Sequence, residues 1–234
     1  MSLRYLNLLR SKFMRSLILA SGSPRRAFLL KECGFEFLVQ PTNASEDFDE
    51  DMNVNDVPAF LASKKAEAAH KIIQSNQLVL TADTVVIFEN EILNKPESPN
   101  QAVEMLVRLS GNTHKVITAV CLTTKDGMET IEENSWVTFR DLKREDIERY
   151  VAHFKPMDKA GAYGAQECLP ENYSPLSGHE RDFLKRINKP DLLIKSKPEY
   201  SIEPLVAIEE IAGSYFNVMG LPIAKIYDTL RTAL

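Results

Sequence analysis

Hydrophobic positions along this chain follow two patterns. Short apolar or alternating runs, bounded by turn residues, predict strands at 17–21, 35–39, 77–81, 85–89, 113–124, 128–140 and 205–208. Longer stretches with apolar residues at helical spacing predict helices at 24–33, 57–74, 100–110, 144–153 and 222–233. Ser23-Pro24 reads as a helix start, because proline at the first helical position lacks an N–H that would be orphaned there. Pro99 opens another helix and Gly111 closes it. Asp126-Gly127 marks a hairpin turn, and Asn90 a second turn from which 91–94 pairs back. The triplet Ala82-Asp83-Thr84 is expected to connect two short strands. An acidic loop at 43–55, a Gly-rich loop at 159–166 and a connection at 213–222 fill the rest. Hairpin and crossover strands mixed with helices predict an α/β fold built on a mixed twisted sheet with flanking helices.

A chain of 234 residues is long enough to bury one substantial core, in one domain or two close lobes. The net charge of -5 excludes a general nucleic-acid coat, so any basic site must be local. No apolar run reaches the roughly 18 residues of a membrane span. Cys33, Cys121 and Cys168 form no CxxC pair, which fits buried thiols in a reducing, cytoplasmic setting. Residues 1–16 carry Arg4, Arg10, Lys12 and Arg15 and no acid, and read as an N-terminal extension, either a targeting segment or residues appended upstream.

Three segments carry candidate chemistry. Arg25 and Arg26 lie in the first turn of a helix, where each cation opposes the helix dipole by roughly a few tenths of a kcal/mol. A bound anion would explain them, held by helix N–H groups, serine hydroxyls and guanidinium; a solvated arginine pair is the plainer alternative. Removing Arg26 is on this view expected to leave stability unchanged or improved. Asp83 is the only charge in LVLTADTVVIF. Buried unpaired it would cost roughly several kcal/mol, so it is either an Asx turn between strands or a partnered carboxylate acting as metal ligand or general base. The segment DKAGAYGAQ has two glycines that permit close backbone approach to a ligand, a weak pattern alone.

Taken together and in order, ASGSPRR, Glu46, KKAEA, TADTVV, NKP, LSGNTH, DKAGAYGAQ and GSYFNVMGLP resemble the Maf family. Its members are nucleoside triphosphate pyrophosphatases related in fold to the inosine triphosphatases. The resemblance implies two lobes around a cleft and hydrolysis of the α–β phosphoanhydride to a monophosphate and pyrophosphate. It also implies a divalent metal cation (Mg or Mn) and frequent homodimers, with neither nucleic acid nor membrane as partner. It covers 17–230 as a single catalytic domain within 17–234.

Matched position by position, Asp83 stands where the family has its catalytic carboxylate, the proton acceptor for the attacking water. Ser21, Ser23 and Arg26 match phosphate-binding positions, and Lys65, Lys95 and Lys159 match lysines suited to phosphate. Glu46, with Asp83, matches the metal-binding acids. Arg25, Thr84 and Gln166 match three specificity positions of a branch acting on dTTP and UTP; a branch acting on 7-methyl-GTP has Trp, Gln and Glu there. A Gln side chain also complements the donor-and-acceptor edge of uracil or thymine. The resemblance thus implies pyrimidine nucleotides, modified ones included. The alternatives are a 7-methyl-GTP pyrophosphatase and a nucleotide-binding regulator of division or growth with slow hydrolysis.

The sequence departs from the pattern in three places. Ser45 replaces an aspartate before Glu46, and Asn94 replaces a glycine before Lys95. An insertion at about 167–203, with Pro170, Pro175, Pro190 and Pro198, reads as a surface excursion, partly disordered or a short helix, or else as a lid or dimer contact.

Overall fold

The strand-forming runs join one seven-stranded mixed sheet in the computed structural model, which describes residues 15–42, 44–71, 73–171, 173–196 and 205–234. The strands are β1 (Ser16–Leu19), β2 (Phe37–Val39), β3 (Gln77–Phe88), β4 (Glu91–Ile92), β5 (Thr113–Thr124), β6 (Gly127–Phe139) and β7 (Ile208–Ala212). Across the sheet they run β2-β1-β3-β5-β6-β7, with β4 also on β3. β1 is parallel to β2 and β3, and the pairings from β3 through β7 are antiparallel. The helices are α1 (Pro24–Glu32), α2 (Val57–His70), α3 (Pro99–Leu109), α4 (Arg144–Phe154), α5 (Gly178–Arg186), α6 (Leu192–Ser196), α7 (Tyr215–Val218) and α8 (Ile223–Ala233). The N-terminal extension falls almost wholly outside the described residues. No helix among those described is long and apolar enough to cross a membrane.

Helix α3 follows from its pattern: Ala102, Val103, Met105, Leu106 and Leu109 make one apolar stripe and all are buried. Ser98 caps it by accepting from Gln101 N at 3.2 Å. Helix α2 uses small residues instead. Ala62 and Ala66 pack on Ala119 and Cys121 of β5, so the helix axis comes close to the sheet. The three cysteines are free and buried, as expected.

Two predicted boundaries change. β3 runs unbroken through Asp83, which stands in register with Ala119. The expected break at 82–84 is unnecessary because the carboxylate finds a cation without leaving the sheet. The last strand is Ile208–Ala212 rather than 205–208. Its burial pattern, with Ile208 and Ile211 inward around Glu209 and Glu210, breaks alternation, because β7 carries one extra residue, Glu209, opposite the step from Thr138 to Phe139 on β6. Of the tract after Gln166, the described part holds the expected helix but anchors it in the core. A capping box between Ser177 and Glu180 starts α5, and Phe183 and Leu184 enter the main core at 2% exposure each.

His114 is buried on β5, with Nε2 2.7 Å from the Tyr163 hydroxyl and Phe139 edge-on to its ring. Burial drives its pKa down to about 3. The unfolded chain, titrating near 6.5, therefore binds one more proton between those values. Stability from this group is complete above pH 6.5 and is lost as pH falls toward 3, by up to roughly 5 kcal/mol. Melting temperatures between pH 4 and 7 check this: His114→Leu combined with Tyr163→Phe should show a flatter acid slope than the parent.

Candidate active site

The sheet itself opens the site. β5 runs along one edge of β3 from Val79 to Ile87, so β1 and β4 share the other edge. β1 covers that edge only as far as Leu80, and β4 begins only at Ile87. Between them the segment around Asp83 and Thr84 has no strand beside it. The chain leaving β1 turns there through Ser21–Ser23 into α1, the crevice position where α/β sheets bind ligands. A cleft of about 860 Å³ lies over this gap, and all eleven candidate residues line it: Ser21, Ser23, Arg25, Arg26, Glu46, Lys65, Asp83, Thr84, Lys95, Lys159 and Gln166.

An ammonium occupies its centre. Lys65 follows Leu61 by one helical turn on α2 and donates to Asp83 Oδ1 at 2.5 Å and to Glu46 Oε1 at 2.8 Å. Lys95 reaches Glu46 Oε2 at 3.3 Å. Burial pushes the Asp83 carboxyl above the usual aspartate range, against the pull of Lys65 and then Arg26. Glu46, half exposed, moves the other way, held low by its hydrogen bond from Lys65. Two neighbouring carboxylates thus differ in proton affinity because one is dry and the other wet.

The helix start is built for an anion, but not through its cap. Ser23 takes the extended N-cap conformation without a side-chain capping bond, so the first-turn N–H groups of α1 lack that acceptor. Ser21 Oγ instead accepts from Ser23 N at 3.3 Å and from Arg26 Nη1 at 2.9 Å. Arg26 also donates through Nε to the Gly220 carbonyl at 2.8 Å and through Nη2 to Thr84 Oγ1 at 3.1 Å. Three of its five N–H groups have protein acceptors, leaving one on each terminal nitrogen, a fork suited to a phosphate. Burial lowers its pKa to about 10, which keeps it a cation at neutral pH. These bonds, each worth on the order of 1 kcal/mol, oppose the burial cost and the dipole conflict on which the expected neutral or stabilising loss of Arg26 rests.

The other basic residues are partnered too. Arg25 pairs with Asp158 at 3.3 Å, and Lys159 with Asp158 at 2.9 Å and Glu167 at 3.5 Å. Burial works to raise the Asp158 carboxyl, but Lys159 and Arg25 outweigh it and hold it low. Glu167 also accepts from the Tyr150 hydroxyl at 2.6 Å, and that hydroxyl accepts from Gly164 N at 3.1 Å, which fixes the Gly-rich loop. Gly161 takes φ +67°, and a Cβ there would press on Val86 at 3.0 Å, so the close approach requires glycine. Gln166 Oε1 is buried with no hydrogen-bond partner among the described residues.

Sequence reasoning missed several participants. Thr84 was singled out for specificity, yet its hydroxyl bonds Arg26 and, at 2.9 Å, Thr118. The segment 213–222 offered no chemistry by itself, but it brings the Gly220 carbonyl to Arg26. Asp158 had a visible signal, an acid directly before Lys159. Thr118 and the carbonyl of Gly220 had none.

Comparison with known proteins places the chain among relatives of one family. Residues 16–172 match the family described as Maf-like protein. A dTTP/UTP pyrophosphatase of Bacteroides fragilis is 36% identical over 92% of this chain and 94% of its own length. One of Flavobacterium psychrophilum is 36% identical over 94% and 96%. Among solved structures, the Ham1 protein of Staphylococcus aureus overlaps with a TM-score of 0.42 at 16% identity, covering 55% of this chain and 74% of that one.

The Lys65 bridge can be tested without any assay of turnover. Lys65→Met removes the main attraction that opposes burial at Asp83. The Asp83 carboxyl, followed by carbon NMR during a pH titration, should move further upward; an unchanged or lower titration midpoint would refute the bridge.

Proposed function

The chain belongs to the Maf family, and on that premise we propose that it is a nucleoside triphosphate pyrophosphatase for dTTP and UTP, modified pyrimidine nucleotides included. One observation carries the reading: eleven residues scattered from Ser21 to Gln166 line a single cleft around a buried carboxylate. The dTTP/UTP pyrophosphatases that it resembles over nine-tenths of the chain support the substrate class.

In this reading the triphosphate lies against the start of α1. Arg26 gives its two remaining N–H groups to phosphate oxygens, with Ser21, Ser23 and the first-turn N–H groups beside them. Lys65, Lys95 and Lys159 neutralise the rest of a chain carrying about four negative charges. Water attacks the α-phosphorus, the α–β bridging bond breaks, and pyrophosphate leaves. Asp83 orients that water and takes its proton; the raised proton affinity of a buried carboxylate favours this role.

Glu46 and Asp83 would hold the divalent cation. The pair already presents oxygens to one cation, since both accept from Lys65 Nζ. Among the described residues no three His, Cys, Asp or Glu side chains gather as a closed cage. Two carboxylates completed by substrate oxygens and water are the donor set that Mg or Mn takes. Such a cation supplies neutralisation of developing charge at the attacked phosphate. Gln166 selects the base: no group among the described residues holds its Oε1, so turning the amide toward a uracil or thymine N–H breaks no hydrogen bond at that oxygen. Arg25 borders the same end through Asp158, and Thr84 acts on selectivity through Arg26.

Pyrophosphate release across a nucleotide panel tests the assignment. dTTP and UTP should exceed purine triphosphates by roughly tenfold or more in kcat/KM, and chelation by EDTA should abolish turnover until Mg or Mn is restored. Asp83→Asn should lower kcat by at least about a hundredfold. Its melting temperature at pH 7 should hold or rise: a carboxyl with raised pKa stabilises the fold below that pKa and loses the contribution above it. Near-full activity of Asp83→Asn would make Asp83 structural and end this mechanism.

A further inference from the structure

Glu180 is the most completely buried acid in the described chain, at 0% exposure, and lies beyond the stretch that matches the family. Its carboxylate accepts five hydrogen bonds. Oε2 accepts from Ser177 N at 2.9 Å and Ser177 Oγ at 3.0 Å, which closes the capping box of its own helix, and from Tyr215 N at 3.2 Å. Oε1 accepts from Ser214 Oγ at 2.7 Å and Phe216 N at 3.0 Å. One carboxylate therefore starts α5 and also clamps the start of α7. A capping box needs only the first of these bonds, together with the one that Ser177 Oγ accepts from Glu180 N at 3.2 Å.

What α7 does next leads to the cleft. Ser214 caps it by accepting from Asn217 N at 3.0 Å. Asn217 is fully buried, and its Nδ2 donates to Val116 O at 3.0 Å and Ser135 Oγ at 2.9 Å. From there two paths reach Arg26. In one, Gly220 N donates to Asn217 O at 2.8 Å, and the Gly220 carbonyl accepts from Arg26 Nε at 2.8 Å. In the other, Asn217 O accepts from Thr118 Oγ1 at 2.9 Å, and Thr118 meets Thr84, which accepts from Arg26 Nη2. Gly220 holds φ +102°, a conformation open to glycine, so its carbonyl direction is set by the bonds that hold the turn rather than by its own side chain.

We infer that Glu180 is a positioning residue: by clamping α7 it sets the Gly220 carbonyl and the Thr118–Thr84 pair, and through them the direction of the Arg26 guanidinium. The inference rests on the phosphate role proposed for Arg26. In Glu180→Gln one amide nitrogen must face a backbone N–H of either Ser177 and Tyr215 or Phe216, so the clamp opens while side-chain volume is kept. Misplacing a phosphate-orienting group by a fraction of an ångström is enough to slow the reaction markedly.

A double-mutant cycle on the full chain decides it, with dTTP turnover read as pyrophosphate release. Glu180→Gln should lower kcat/KM about tenfold alone and less than about twofold in an Arg26→Ala background. The Arg26 Nε–H proton resonance should shift in Glu180→Gln, since it reports the bond to Gly220. Should Glu180→Gln fail to fold, Ser214→Ala removes one clamp bond and the α7 cap and enters the same cycle. Equal losses in both backgrounds, the signature of partial unfolding, would overturn the inference, as would full activity of the Glu180 variant. Full activity of Arg26→Ala would overturn it together with the phosphate role proposed for that arginine.

Discussion

A carboxylate in the middle of a β-strand, flanked by Ala82 and Thr84 and nearly closed to solvent, is a severe constraint on a fold. Unpaired, Asp83 would cost roughly several kcal/mol in its ionised form. It is relieved by one ammonium, Lys65, and that ammonium can arrive only because α2 lies close to the sheet. Closeness in turn requires the alanines at 62 and 66 against Ala119 and Cys121. A larger side chain at any of these would lift the helix and with it the cation. The composition of α2 and the chemistry at the end of β1 are thus one problem, solved by small residues on the helix face.

The same pair sets the electrostatics of the cleft. Arg25, Arg26, Lys65, Lys95 and Lys159 are gathered there in a chain whose net charge is -5. Each is balanced by Glu46, Asp83, Asp158 or Glu167, or fixed by neutral acceptors as Arg26 is. Such pairing keeps five cations in one cavity without mutual repulsion deforming it. The partners differ in burial, so they differ in how readily they yield their cation to a phosphate. Lys95 and Glu46 are half exposed and weakly bound by solvent screening, whereas Lys159 is almost enclosed.

Rigidity around the cleft comes from the far half of the chain. The Gly-rich loop is pinned through Tyr150 and Glu167, and the α7 turn through Glu180 and Asn217. Both pins are polar groups whose hydrogen bonds cross between distant segments, Tyr150 to Glu167 and the Asn217 amide nitrogen to Val116 and Ser135, which gives direction where apolar packing alone gives only proximity. Gln166 lines the cleft itself, with a buried amide oxygen that no group among the described residues holds; Asn217 Oδ1, away from the cleft lining, is the same.

Hydrophobic periodicity, prolines at helix starts and turn residues determined most elements, because these act over a few neighbouring positions. The motifs likewise named every residue that lines the cleft among the eleven expected. Two local readings failed for tertiary reasons. β3 crosses Asp83 without a break because its cation comes from α2, and the tract after Gln166 is more than a surface excursion because its helix sends Phe183, Leu184 and Glu180 into the core. Only the folded arrangement decided what each cleft residue bonds. Arg26 and the Gly220 carbonyl are 194 positions apart, and no local propensity links them. Side-chain chemistry is written residue by residue, but a hydrogen bond needs a direction, and direction is set by whichever distant backbone the core brings alongside.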